Sequence, residues 1–236
     1  MELINRENQI FDILQKFIDA KLDFIVVGGY AVSAFKHRFS VDADIVIESS
    51  ALEDFEAVLK KQDFRKTISK ELKNIYSSRF ERYEKDKTFV DLMINALASR
   101  TTNAAFSFRL LHENSIRKKI IGIEKEITAR IPIKELLIAV KIHSGRLTDF
   151  RDIAALAKNT DLGKIKKFLF IGDIKAVNEN LKKLHTAVND KNFIDSFKGV
   201  FIEKKFDIDL KQIKRISELR GVSGVSGVKE YKDEIQ

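Results

Sequence analysis

Phe24 to Glu48 reads F-I-V-V-G-G-Y-A-V-S-A-F-K-H-R-F-S-V-D-A-D-I-V-I-E, and this stretch decides the fold. An apolar run rich in β-branched residues stops at Gly28-Gly29, a short amphipathic segment follows, and Asp42 and Asp44 open a second apolar run, Ile45-Val46-Ile47. The pattern predicts strand, glycine turn, helix, strand. Alternate residues of a strand share a face, so Asp42 and Asp44 lie about 7 Å apart on one side, close enough to share a divalent cation. Ile45 and Ile47 then point to the core. Without a Cβ, a turn built from Gly28 and Gly29 lets backbone approach a phosphate closely. The helix that starts there adds unpaired N–H groups and the positive end of its dipole. Gly-Gly alone marks a turn and D-x-D alone a solvated strand end. Their joint occurrence across strand, helix and strand points to a cleft that holds metal and phosphate together.

Working outward, the 236-residue chain is long enough to bury a full core as one domain or two small ones. Its 44% hydrophobic and 33% charged residues suit a soluble globular protein. No apolar run approaches the roughly 18 to 20 residues of a membrane span, and Met1-Glu2-Leu3-Ile4-Asn5-Arg6 lacks the layout of a secretion signal. A cytoplasmic protein with no membrane partner is expected. Zero cysteines exclude disulfides and thiolate metal sites. A formal charge of +8 favours polyanionic partners such as RNA or nucleotides.

Ile10, Phe11, Leu14, Phe17 and Ile18 recur at three- and four-residue spacing, which predicts an amphipathic helix over 2–20. A helix of about eight residues follows the glycines, closed by Lys36, His37 and Arg38, whose charges suit the end of its dipole. Ser49-Ser50 caps a further helix over about 51–61. Ile75–Tyr83 and Thr88–Ile94 flank a polar turn, Glu84-Lys85-Asp86-Lys87, and read as a hairpin. Asp91 interrupts the second of these strands, where an acid is costly to bury unless it is paired or binds a cation. Ser115–Ile121 and Lys125–Ile133 are extended around Gly122, and an apolar helix, Lys134–His143, follows the chain's only proline, Pro132.

Lys141 near the end of that helix either snorkels or reaches a triphosphate as a point charge, and Arg146 has the same option. Arg151 and Asp152 form either a helix-start ion pair suited to the dipole or part of a catalytic group. His143, with no second histidine or cysteine near it, reads as a surface or core histidine. From 160 onward the pattern is helical, with candidates Gly163–Phe170, Asp173–Val188, Asn192–Glu203 and Asp207–Leu219. Lysines at 164, 166, 167, 182, 183, 204, 205, 211 and 214 crowd this half. They form a solvated face or a surface for an acidic acceptor. The Gly- and Ser-rich repeat from Gly221 to Val228 predicts a flexible tail. The expected organisation is a catalytic domain over 1–133, a helical domain over 134–220 and a tail over 221–236.

Gly28-Gly29 followed by Asp42-x-Asp44 resembles the nucleotidyltransferase superfamily related to DNA polymerase β. Arg38-x-Ser40-x-Asp42-x-Asp44 resembles in particular its AbiEii-type toxin branch. Lys141-Ile142-His143 followed by Arg151-Asp152 is a second match to that branch. The departures are Gly29 where many members have Ser, Ser144-Gly145 for Ala-Leu, and Ala155 in place of the last helix acid. The resemblance implies an α+β fold, a mixed β-sheet with flanking helices and a C-terminal helical lobe. It implies transfer of a nucleoside monophosphate from an NTP to an acceptor hydroxyl, with Mg²⁺, or Mn²⁺ in its place, held by Asp42, Asp44 and Asp91. Asp91 is then third ligand or base, Lys141 and Asp152 join the catalytic group, and Gly28, Gly29, Arg38, Ser40, Lys141 and Arg146 bind nucleotide. The implied acceptor is RNA, tRNA above all, with a toxin role and a cognate antitoxin. A small-molecule acceptor, as in aminoglycoside-modifying relatives, and a non-catalytic nucleotide- or RNA-binding module are the rival readings.

Overall fold

The computed structural model describes residues 2–40, 42–197, 201 and 208–219. The expected tail over 221–236 and Lys204 and Lys205 lie outside the described residues. A seven-stranded mixed sheet carries the first half. In chain order its strands are β1 (Ile25–Val26), β2 (Asp42–Ile47), β3 (Arg65–Glu71), β4 (Arg79–Lys85), β5 (Thr88–Ile94), β8 (Ser115–Ile121) and β9 (Glu126–Pro132). Across the sheet they run β3-β4-β5-β2-β1-β9-β8. A separate hairpin pairs β6 (Ala96–Ser99) with β7 (Ala104–Ser107).

Helix α1 (Glu2–Asp19) buries Ile10, Phe11, Ile13, Leu14 and Phe17. It packs on the sheet and on α3 (Leu52–Lys61), with Phe17 edge-on to Phe55 at 4.8 Å between centroids. Beyond the short helix α4 (Phe108–Glu113) and the β8–β9 hairpin, the described residues are mainly helical: α5 (Lys134–Ser144), α6 (Leu147–Leu156), α7 (Leu162–Leu169), α8 (Ile174–Asn189) and α9 (Leu210–Ser217). Asp161, Asp173 and Asp209 cap the last three through their carboxylates, the N-cap role that short acceptor side chains fill. One hydrophobic cluster runs from α1 through the sheet to Ile213 and Ile216 of α9.

Four expectations need correction. The helix after the glycines, α2 (Gly28–Ser33), has six residues, so Lys36, His37 and Arg38 lie past its end in irregular chain. Ser49-Ser50 does not cap α3. Those serines sit in a 3₁₀ turn, Ser49–Ala51, and Asn95 Oδ1 accepts from the Ser49 amide at 2.8 Å. The first hairpin strand begins at Arg79 rather than Ile75, because Leu72 N–H to Ser78 C=O (2.8 Å) closes a loop that leaves Ile75 87% exposed. Its turn is Asp86-Lys87, both at positive φ, and Lys85 pairs with Thr88. The described part of Asn192–Glu203 holds a 3₁₀ turn, Ile194–Phe197, and no α-helix. Strand β3, R-K-T-I-S-K-E, was not expected at all. It is exposed along its whole length and has no apolar face to announce it; it forms by pairing with β4 at the sheet edge.

Candidate active site

The acid-bearing face is set by register. Strands β2 and β5 are parallel, with Asp42 opposite Phe89 and Asp44 opposite Asp91. Asp42, Asp44 and Asp91 therefore project from one face, on neighbouring strands in the middle of the sheet. Strand β1 lies on the other side of β2, and Val27 N–H donates to the Asp44 carbonyl at 2.9 Å. That bond brings the glycine turn over the acids. Gly28 has φ +63°, and a Cβ added there would lie 2.8 Å from the Asp44 carboxyl carbon and collide with its oxygen. A Cβ at Gly29 would collide with Ser40 Oγ, with the Arg38 guanidinium 3.4 Å away. Tyr30, fully buried, donates its hydroxyl to the Ser40 carbonyl at 2.8 Å and fixes the chain that leads into β2.

Gathering carboxylates this closely has an electrostatic cost. Burial, then the neighbouring Asp91, pushes the Asp44 carboxyl up to about 7, against the pull of Lys141. Asp42 is also raised, first by burial and then by Asp91, while Arg82 opposes the rise. Asp91 itself is 4% exposed and is held by a residue that the sequence reading missed. Arg82 of β4 donates Nε–H to one Asp91 oxygen and Nη2–H to the other, both at 2.7 Å. The same Nη2 lies 3.9 Å from Asp42. Among the described residues no three or more His, Asp or Glu side chains converge as a ready metal site. Asp42, with Arg82 no nearer than 3.9 Å, and Asp44 are the pair left to face a cation, and a hard ion of the magnesium class is commonly held by one or two carboxylates with water and substrate phosphates completing the shell. The donor set fits such an ion.

A second charged group joins the glycine turn to the helical half. Lys141 is buried in α5, its ammonium 3.1 Å from Asp149 and 2.7 Å from Asp152. It does not snorkel to solvent. Asp152 also pairs with Arg38, so one buried carboxylate of α6 holds both the lysine and the arginine beside Gly29. Asp152 is not a helix-start acid either. Helix α6 begins at Leu147 with Arg146 as N-cap, and the first-turn acid is Asp149, whose carboxylate accepts from the Arg146 amide at 3.2 Å and from its Nε at 2.8 Å. Burial pushes the Asp149 carboxyl up, but its bonds to Arg146 and the charge of Lys141 outweigh this and hold it below the usual range. His143 is a core histidine, its Nδ1 2.8 Å from Thr102 Oγ1 and its pKa pushed down to about 4 by burial.

The signal for Arg82 was the hairpin turn. With Asp86-Lys87 as the two turn residues, counting back along both strands sets Arg82 against Asp91. The four-residue turn Glu84–Lys87 sets Phe80 there instead.

No family model matches the sequence, and no curated protein does. Among solved structures, the antibiotic-resistance factor ANT(2″)-Ia superposes with a TM-score of 0.52 at 15% identity, covering 72% of this chain and 91% of its own. JHP933 from Helicobacter pylori superposes at 0.49 and 15% identity over 93% and 91% of the two chains. The lincosamide antibiotic adenylyltransferase LnuA superposes at 0.43 and 19% identity over 65% and 98%. The likeness is one of fold. A mixed sheet with flanking helices, as in that antibiotic-resistance factor, is the architecture of this chain.

Proposed function

We propose that the chain is a divalent-metal-dependent nucleotidyltransferase, which moves a nucleoside monophosphate from an NTP to an acceptor hydroxyl. One observation carries this reading: three aspartates from two adjacent strands share a face beneath a glycine turn too close to them for any side chain at Gly28. A protein that only binds a polyanion gains nothing by gathering carboxylates beside it.

In the reaction the acceptor oxygen forms a bond to the α-phosphorus, the bond from that phosphorus to the β-bridging oxygen breaks, and pyrophosphate departs. Mg²⁺, or Mn²⁺, supplies charge neutralisation at the phosphates when bound. Asp42 and Asp44 would hold it, and Asp91, once released from Arg82, would serve as a further ligand or take the hydroxyl proton. Gly28 and Gly29 offer backbone to the β- and γ-phosphates, with Ser40 and Arg38 beside Gly29. Asp152 fixes Arg38 beside Gly29 and holds buried Lys141 behind it, so both charges act on the triphosphate from set positions. Arg146, largely exposed at 70% of its side chain, would serve as a further phosphate contact. Positioning and electrostatics of this kind account for most of the catalysis in phosphoryl transfer.

RNA, with tRNA foremost, is the acceptor we favour, in a toxin of the AbiEii type with a cognate antitoxin in the cytoplasm. The net charge of +8 and the exposed Lys164, Lys167, Lys182, Lys183, Lys211 and Lys214 support it. A small-molecule acceptor is the second reading, favoured by the match to an antibiotic-resistance factor over 91% of that chain. Incubation of the purified protein with each α-labelled NTP, against total RNA and against an aminoglycoside panel, tests the reaction and separates the acceptors. Label should enter one fraction and vanish with Asp42→Asn. Full incorporation by that variant refutes the assignment. RNA binding should also weaken steeply between 50 and 200 mM salt, as counterion release requires, whereas a small-molecule site should respond little.

A further inference from the structure

The strongest unabsorbed feature is the guanidinium of Arg82, a cation built into the carboxylate cluster. Four side chains fix it. Two parallel hydrogen bonds at 2.7 Å engage both oxygens of Asp91, Nη2 lies 3.9 Å from Asp42, and the guanidinium carbon stands 4.9 Å from the Phe89 ring centroid and 6.0 Å from that of Phe80. Phe80, Arg82, Phe89 and Asp91 alternate onto the same face of β4 and β5 as Asp42 and Asp44. The fork matches the carboxylate plane, which makes this pairing stronger than a point charge such as lysine provides. It is also the reason Asp91 tolerates 4% exposure, because a buried carboxylate needs a partner.

Resting on the function proposed above, we infer that Arg82 is a positioning residue that withholds Asp91 from the divalent cation until a triphosphate arrives. An ion approaching Asp42 and Asp44 meets a positive charge already seated among the acids, and each Asp91 oxygen already accepts a bond from that guanidinium. Metal uptake by the protein alone is therefore weak. A bound triphosphate changes both conditions, since its oxygens add negative charge and present a second surface to which a guanidinium binds through two parallel bonds. The Arg82 side chain, 29% exposed, has room to turn toward it and release Asp91. Nucleotide and metal thus bind more cooperatively than direct ligation of the ion by phosphate alone gives, and the added coupling runs through one side chain. Removing a purely structural counter-ion of Asp91 would leave the metal affinity of the protein alone no higher.

The test is a Mn²⁺ titration of the full chain followed by the electron paramagnetic resonance of free Mn²⁺, with and without a non-hydrolysable NTP analogue, each read against a protein-free titration that gives the Mn²⁺ taken up by the analogue itself. Wild type should bind Mn²⁺ weakly alone and at least tenfold more tightly with the analogue. Arg82→Gln should bind Mn²⁺ alone at least tenfold more tightly than wild type, and its gain from the analogue should shrink by a similar factor. Arg82→Lys, which keeps the charge but loses the fork, should fall between the two, and it decides the matter if Arg82→Gln does not fold. Equal or weaker Mn²⁺ affinity in the folded variants overturns the inference. Asp44→Asn separates this from failure of the underlying reading. If it abolishes Mn²⁺ uptake while the Arg82 variants gain nothing, Arg82 alone was misassigned. If no form binds Mn²⁺, the metal site and the Arg82 inference fall together.

Discussion

Asp44→Asn should make the metal-free protein more stable while removing its capacity to hold a cation. In the fold the Asp44 carboxyl titrates at about 7 instead of its usual 3.8, first because of burial and then because of Asp91. A folded acid raised in this way binds more protons than the unfolded chain between those two values, so stability falls as pH rises from about 4 to 7 and stays low above it. Taken at face value, the penalty at pH 8 is on the order of 4 kcal/mol. Asp44 keeps part of its surface open to solvent, and screening and relaxation reduce the figure to about 2 kcal/mol. Asparagine has nearly the same shape and never carries the charge. For a chain of this size about 2 kcal/mol raises the melting temperature by roughly 4 to 8 °C. Thermal denaturation in EDTA from pH 4 to 8 checks this: the advantage of the variant should be full at pH 8 and fade toward pH 4. Added Mg²⁺ should raise the melting temperature of wild type alone. An Asp44→Asn protein that melts below wild type at pH 8 in EDTA refutes the argument that the carboxylate is strained by its surroundings.

Gly28→Ala combines a left-handed backbone, costing about 1 to 2 kcal/mol for an L-residue, with a collision against Asp44; lower urea midpoints and loss of nucleotide labelling are expected. Asp152→Asn leaves Arg38 without its carboxylate and Lys141 with Asp149 alone, and should lower stability by on the order of 3 kcal/mol in urea denaturation. If it labels RNA as well as wild type, the link from Asp152 to the phosphate cations is wrong. His143 acts on stability in the opposite sense to Asp44. Burial pushes its pKa down to about 4, so its contribution is present above pH 6.5 and lost as pH falls toward 4. In the Asp44→Asn background, acid melting over that window should show a loss of on the order of 3 kcal/mol, with an imidazole that stays neutral by NMR at pH 5.

The face of the sheet that bears the acids was legible because strand periodicity is strict. Once Phe24–Val27 and Asp42–Ile47 are strands, the two aspartates must share a side and the isoleucines must take the other. Lys134–His143, Ser115–Ile121 and the amphipathic helix over 2–20 were legible for the same reason, each having an apolar pattern of its own. Strand β3 and the β6–β7 hairpin were not. Residues 65–71 carry no buried side, and their conformation comes from a neighbour's unpaired backbone. The hairpin holding Asp91 was found, but with a turn two residues too long, which slid Phe80 into the place that Arg82 occupies.

From the sequence alone came the elements with a strong internal period, the glycine elbow and the identity of the acids, all matters of which side chains follow one another. Tertiary structure alone decided the partner of each charge. Strand order set Asp91 opposite Asp44, hairpin register gave it Arg82, and the packing of α5 on α6 buried Lys141 between Asp149 and Asp152. Those pairings depend on distances between residues far apart in the chain, whereas local patterning reports only on neighbours within a turn or a strand. The charge state of the site, with Asp44 titrating near 7, therefore emerges only when the chain has closed on itself.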